Sequence, residues 1–214
     1  MHNGHLETLI ARYPSLEQCR TSVEQAYALL EGCFAGGRKL LLAGNGGSSA
    51  DAEHIVGELM KGFVLPRRCS DEFVSVLEEI DSVRGRELGE RLQGTLPAIA
   101  LDGHTALNTA YTNDVPNGGQ LSFAQQVYGY GNAGDVFLGI STSGNSRNIM
   151  YAAVVARAKG MKVLALTGQT GGELAEFADV AIRVPATETY QVQELHLPVY
   201  HCLCLMLEER FFGE

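Results

Sequence analysis

The sequence predicts an α/β fold, a doubly wound five-stranded parallel sheet flanked by helices. Two observations carry that expectation. Five short apolar runs, RKLLLAG, PAIALD, DVFLGIS, MKVLALTG and DVAIRVP, have the composition of strands buried on both faces, and each is bounded by Gly, Pro, Asp or Ser. Helical patterns alternate with them, which calls for parallel pairing through right-handed crossovers.

Taken in order, residues 16–35 space Val23, Ala26, Leu29, Leu30 and Phe34 at helical intervals and stop at Gly36-Gly37, so an N-terminal helix is expected. ADAEHIVGELMKGF, HTALNTAY, SFAQQVYGYG, RNIMYAAVVARAKG and GELAEFA supply the helices between strands. TYQVQELHLPVYHCLCLMLEERFF closes the chain as a C-terminal helix, where Pro198 removes a backbone donor and predicts a kink or a late start. Residues 64–96 exceed a minimal strand–helix–strand unit. Phe73, Val76, Leu77, Ile80, Val83, Leu88 and Leu92 recur there at roughly helical spacing behind Ser70 as N-cap, predicting an extra amphipathic helix or hairpin as a helical insertion, either packed on the surface or serving as a lid or oligomer contact. One domain over residues 1–214 suits this length.

Composition narrows the function. Hydrophobic residues at 45% and charged residues at 19% are ordinary globular values, and no apolar run reaches the length of a membrane span. MHNGHLETLI lacks the basic segment and apolar core of a secretory signal, so a cytoplasmic location is expected. Cys19, Cys33, Cys69, Cys202 and Cys204 form no disulfide framework and are expected to pack as thiols. A formal charge of −9 argues against nucleic acid as partner, while one small anion needs only a local pocket of N–H donors.

Two turns offer such a pocket. Gly44-Asn45-Gly46-Gly47-Ser48-Ser49 departs from the dinucleotide fingerprint at its last glycine, the chain lacks a nucleoside-triphosphate loop, and no nucleotide cofactor is expected. Ser141-Thr142-Ser143-Gly144-Asn145-Ser146 sets four hydroxyls and a glycine before a helix, an arrangement suited to phosphate. Both turns follow predicted strands, and ligands of open α/β sheets bind outside strand carboxyl ends. His54 and Glu58, four apart, share a helix face one turn after the first loop. Gln193, Glu194, His196 and His201 on the last helix add nitrogen and oxygen donors of the kinds zinc takes.

GNGGSSADAEHIVGEL, YTND, GISTSGNSRNIM, GMKVLALTGQTGGELAEFADVAIRVP and VQELHLPVYH together resemble the SIS-domain sugar isomerases, and most closely the phosphoheptose isomerases, over nearly all of residues 16–212. The resemblance implies an SIS-type sheet and an aldose–ketose isomerase that converts sedoheptulose 7-phosphate to D-glycero-D-manno-heptose 7-phosphate through an enediol, for heptose and surface-polysaccharide synthesis. It implies that Ser141, Thr142, Ser143 and Ser146 hold phosphate, and that Asn45, Gly46, Gly47, Asn113, Asp114 and Gln193 bind the sugar. It also implies Zn2+ on His54, Glu58, Gln193 and His201, Glu58 and His201 as the acid–base pair, and a homotetramer. Two departures stand out: Lys61 occupies the region where the family carries a basic residue in a G-R-Y-like context, and Tyr190 and Gln191 occupy that of an acidic one. The rival expectations are an SIS isomerase for another sugar phosphate, a sugar-phosphate sensor, and a non-catalytic adaptor resembling the replication-initiator-associating proteins.

Overall fold

The structure is a computed structural model and describes residues 4–213. The first three residues of MHNGHLETLI, and residue 214, lie outside it. In chain order the elements are α1 (Gly4–Arg12), a 3-10 turn (Pro14–Cys19), α2 (Arg20–Ala35), β1 (Leu40–Ala43), α3 (Gly47–Met60), α4 (Asp71–Ile80), α5 (Ser82–Arg91), β2 (Ala98–Ala100), α6 (Thr105–Asp114), α7 (Gly118–Tyr130), β3 (Val136–Ser141), α8 (Arg147–Ala158), β4 (Lys162–Thr167), α9 (Gly172–Phe177), β5 (Val180–Arg183) and α10 (Thr189–Phe212).

The strands form one parallel sheet in the order β2-β1-β3-β4-β5. Alternate side chains enter separate cores because strand side chains point to opposite faces with period two. Leu40, Leu42, Leu138, Ile140, Leu164 and Leu166 pack with Val23 and Leu30 of α2, Ile55 and Leu59 of α3 and Val199 and Leu203 of α10. Leu41, Ala43, Phe137, Val163 and Ala165 face Val127 of α7, Ile149, Ala152 and Ala156 of α8 and Leu174 of α9. Both faces are thus covered, which explains why the runs read as continuously apolar rather than alternating.

Several expectations need adjusting. The predicted 16–35 helix begins as a 3-10 turn and becomes α-helical at Arg20, and α1 precedes it. α10 does not start late: it runs 24 residues through Pro198, its packing against α1, α2 and α3 outweighing the single lost backbone bond. The insertion is a helical hairpin, α4 and α5, with the Ser70 hydroxyl accepting from the Phe73 N–H at 3.3 Å and Asp81 Oδ1 accepting from the Val83 and Arg84 N–H groups at 3.1 and 2.9 Å. Phe73, Val76, Ile80 and Val83 remain exposed on it. All five cysteines are free, and Cys69, near the hairpin, is only half-buried where core packing was expected.

Before the hairpin, the chain is pinned from beneath. Glu208 of α10, fully buried, accepts from the Phe63 and Val64 N–H groups at 2.7 and 2.8 Å and pairs with Arg67 Nε at 2.8 Å. Arg67 donates onward to the carbonyls of Leu59 and Glu58 at 2.7 and 2.9 Å, satisfying acceptors that the end of α3 leaves without helical partners. Burial opposes ionisation of Glu208, yet the two N–H groups and the guanidinium outweigh it and hold its carboxyl below the usual range. This network locks the C-terminal end of α3, and with it Glu58, against α10.

Candidate active site

β1 and β3 are neighbours, yet β1 leads on to β2 at one edge while β3 leads on to β4 toward the other. A crevice opens at such a reversal, outside the carboxyl ends of the strands, and both glycine-serine turns border it. Asn45 and Asn148 tie the turns together through two reciprocal amide hydrogen bonds, Asn45 Nδ2 to Asn148 Oδ1 at 3.0 Å and Asn148 Nδ2 to Asn45 Oδ1 at 2.8 Å. The two turns therefore form one site.

The second turn is internally braced. Ser141 Oγ lies 3.0 Å from Ser146 Oγ and accepts from the Gly144 N–H at 3.1 Å, while Ser143 Oγ accepts from the Asn145 N–H at 3.2 Å. Gly144 has φ +69°, and a Cβ there would fall 1.8 Å from the Gly171 carbonyl oxygen, so only glycine serves. The Ser146 side chain caps no backbone N–H at the start of α8, an end whose partial positive charge and free donors favour an anion. Ser141 is buried and holds the loop's shape, whereas Ser143 is exposed and Thr142 and Ser146 are half-exposed.

Gly46 (φ +57°) is the N-cap of α3 and Gly47 its first residue. A Cβ on Gly47 would lie 2.5 Å from Gln193 Nε2, so α10 lays its amide directly on the first turn. About two turns further along α3, His54 Nε2 is 3.1 Å from Glu58 Oε1, and Glu58 Oε2 accepts from Lys61 Nζ at 3.1 Å. Lys61 is thus engaged with Glu58. From α10 the His201 ring stands edge-on to His54 with centroids 5.0 Å apart, and also contacts Tyr200 and Phe63. His201 Nε2 is buried and without a hydrogen-bond partner. Burial, and then the neighbouring His54, hold the His201 pKa below the ordinary imidazole value.

His54, Glu58 and His201, read from two distant helices, therefore meet, and Gln193 joins Gly47. Asn113 and Asp114 are placed differently. Both are exposed at the end of α6, where Asn113 Nδ2 donates to Asp114 Oδ1 at 2.9 Å, and neither bonds to the two turns. Sequence reasoning missed Asp51, Asn148 and Tyr200. The signal for Asp51 was its place one helical turn before His54, and Tyr200 simply precedes His201.

Among the described residues no group of three or more His, Cys, Asp and Glu side chains stands in a ligating arrangement. The donor chemistry of two imidazoles and a carboxylate, one ring nitrogen having no partner, nonetheless suits a cation such as zinc.

A family model described as SIS domain matches residues 94–206. The chain is 37% identical over 198 residues to the phosphoheptose isomerase of Sulfurimonas denitrificans, covering 92% of this chain and 87% of that one. The chain belongs to the SIS-domain phosphoheptose isomerase family. Solved phosphoheptose isomerases agree in fold: that of Francisella tularensis superposes with TM-score 0.75 at 33% identity, covering 97% of this chain and 96% of the other, and GmhA of Neisseria gonorrhoeae with TM-score 0.72 at 32% identity, covering 95% and 94%. Within this family member, the serine-rich turn and the glycine turn are joined by the Asn45–Asn148 pair, Gln193 rests on the glycine turn, and His54, Glu58 and His201 meet further along α3.

Proposed function

We infer that the protein isomerises sedoheptulose 7-phosphate to D-glycero-D-manno-heptose 7-phosphate in a heptose-producing sequence. The observation that carries this reading is the meeting of His54, Glu58 and His201 beside two turns joined by the Asn45–Asn148 pair. The phosphate would sit on Thr142, Ser143 and Ser146 at the α8 N-terminus, with Ser141 shaping the loop, and the open-chain sugar would extend over Asn45, Gly46, Gly47 and Gln193. Anchoring one end fixes the reacting carbons, which supplies much of the rate through orientation.

Ketose–aldose interconversion removes a proton from C1, passes through an enediol, and returns a proton to C2 while a hydroxyl proton moves between the oxygens. Glu58 and His201 take these acid–base roles. Burial, and then the neighbouring His54, favour the neutral form of the His201 imidazole. Zinc belongs to the same proposal, held by His54, Glu58, Gln193 and His201. When bound it would supply Lewis-acid polarisation of the carbonyl oxygen.

A cytoplasmic homotetramer completes the reading. The exposed apolar side chains of the α4–α5 hairpin support subunit contact, and among the described residues no helix is long and apolar enough to cross a membrane. Purified protein assayed with sedoheptulose 7-phosphate, before and after chelator, tests the activity: aldose product is expected, with loss on chelation and recovery on adding zinc. No product at high enzyme concentration overturns the isomerase reading, and size-exclusion chromatography with light scattering reads the assembly.

A further inference from the structure

Beside the reacting cluster lies a chain of contacts that neither role assignment uses. Asp51 Oδ1 accepts the Tyr200 hydroxyl hydrogen at 3.2 Å, and the same hydroxyl oxygen is 3.0 Å from His54 Nδ1. Tyr200 is 2% exposed, so solvent offers it no alternative partner. A phenol has one hydrogen. With that hydrogen committed to a carboxylate, the Tyr200 oxygen can only accept from His54, and Nδ1 must carry the imidazole proton. The other ring nitrogen, Nε2, then has a bare lone pair 3.1 Å from Glu58 Oε1, itself an acceptor. Two acceptors at that separation repel one another, a contact that a cation placed between them would relieve.

We propose that Tyr200, anchored by Asp51, is a positioning residue that fixes His54 as the Nδ1–H tautomer and so presents Nε2 as an open donor pair toward Glu58. Its reach is through hydrogen-bond polarity: a partner on one ring nitrogen decides what the other can do, as in carboxylate–histidine–metal arrangements. The proposal deepens the reading of His54 and Glu58 as part of the reacting site and rests on it for its purpose, though not for its test.

The test is the two-bond 1H–15N correlation spectrum of the histidine rings, recorded on full-length protein treated with chelator at mildly alkaline pH, with His54 assigned by His54→Gln. Wild type is expected to show a protonated Nδ1 and an unprotonated Nε2. Tyr200→Phe removes the acceptor, leaving Glu58 as the partner for a ring N–H, so the proton is expected to move to Nε2. Asp51→Ala frees the tyrosine hydrogen to point at Nδ1 and is expected to shift the ring the same way with the phenol still present. Zinc affinity, measured by competition with a chromogenic chelator, should fall about 10–100-fold in Tyr200→Phe. A wild-type ring protonated at Nε2 overturns the proposal, as does an unchanged His54 pattern in either folded variant. Should Tyr200→Phe not fold, wild type and Asp51→Ala still decide. The spectrum needs no substrate, so a protein that isomerises nothing refutes the activity without touching the tautomer, and the reverse also holds.

Discussion

Asn45 and Asn148, 103 residues apart, exchange two amide hydrogen bonds between the turn after β1 and the start of α8. Both residues border the crevice and are partly solvent-accessible, so the pair matters more for aligning the turns than for global stability; a net hydrogen bond contributes about 0.5–1.5 kcal/mol. Asn148→Ala is expected to raise KM for the sugar phosphate about tenfold, an energy of about 1.4 kcal/mol, while the melting temperature moves by only a few degrees. Steady-state kinetics beside calorimetry check this. An unchanged KM would mean the turns align without the pair.

Replacing Glu58 by Gln or His201 by Ala is expected to lower kcat about 10²–10⁴-fold, the range general acid–base groups supply. Each variant should keep its fold, since the Arg67 contact at position 58 uses the backbone carbonyl and not the carboxylate. Full rate in both would remove these residues from the chemistry while leaving the family assignment untouched.

Gly47→Ala places a methyl group where the Gln193 amide now lies. The obstructing atoms are the far end of a flexible side chain, so the amide should swing away at little cost in stability. We expect kcat/KM to fall about as much as in Gln193→Ala, and the double variant to fall no further, because both changes delete one contact. Additive losses in the cycle would show that the two positions act separately.

Removing one partner of the buried Arg67–Glu208 pair should cost about 3–5 kcal/mol, measured by urea unfolding of Glu208→Gln and Arg67→Met. Replacing both by apolar residues would ordinarily recover much of this. Here it should not, because the Phe63 and Val64 N–H groups and the Glu58 carbonyl would lose their partners as well. A double variant as stable as wild type would refute that reasoning.

His196 is fully buried on α10, and burial, opposed in part by the Thr167 backbone, pushes its pKa down to about 4. In the unfolded chain it titrates near its ordinary 6.5. The folded value being the lower one, protons favour the unfolded state, so stability is retained above pH 6.5 and lost as pH falls toward 4. The difference amounts to about 3 kcal/mol at 1.36 kcal/mol per pKa unit. His196→Phe should flatten the unfolding free energy across that window, and an unchanged slope would place its origin elsewhere.

The sheet was legible because its strands are buried on both faces, and short, continuously apolar runs with Gly or Pro boundaries suit the middle of a covered parallel sheet better than a solvated element. The two turns and the His54–Glu58 face followed from local spacing alone. What spacing could not supply was tertiary: that His201 meets His54, that Gln193 rests on Gly47, and that Tyr200 reaches back to Asp51 across 149 residues. Lys61, in the region where the family carries a basic residue, bonds Glu58 because an i,i+3 neighbour at the helix end is within reach. Asn113 and Asp114 were placed in the sugar site by resemblance and lie paired with each other on the surface of α6.

Because the two turns project from adjacent strands, the gauge of the cleft is one rung of the ladder, about 4.8 Å, plus whatever the loops add. Backbone pairing sets that rung, so exchanging side chains within the loops would retune which head group and which sugar length are accepted without altering the spacing of the jaws. Divergence in this lineage toward new phosphorylated substrates therefore has an inexpensive route through the loops, whereas changing the span itself would require rebuilding the sheet.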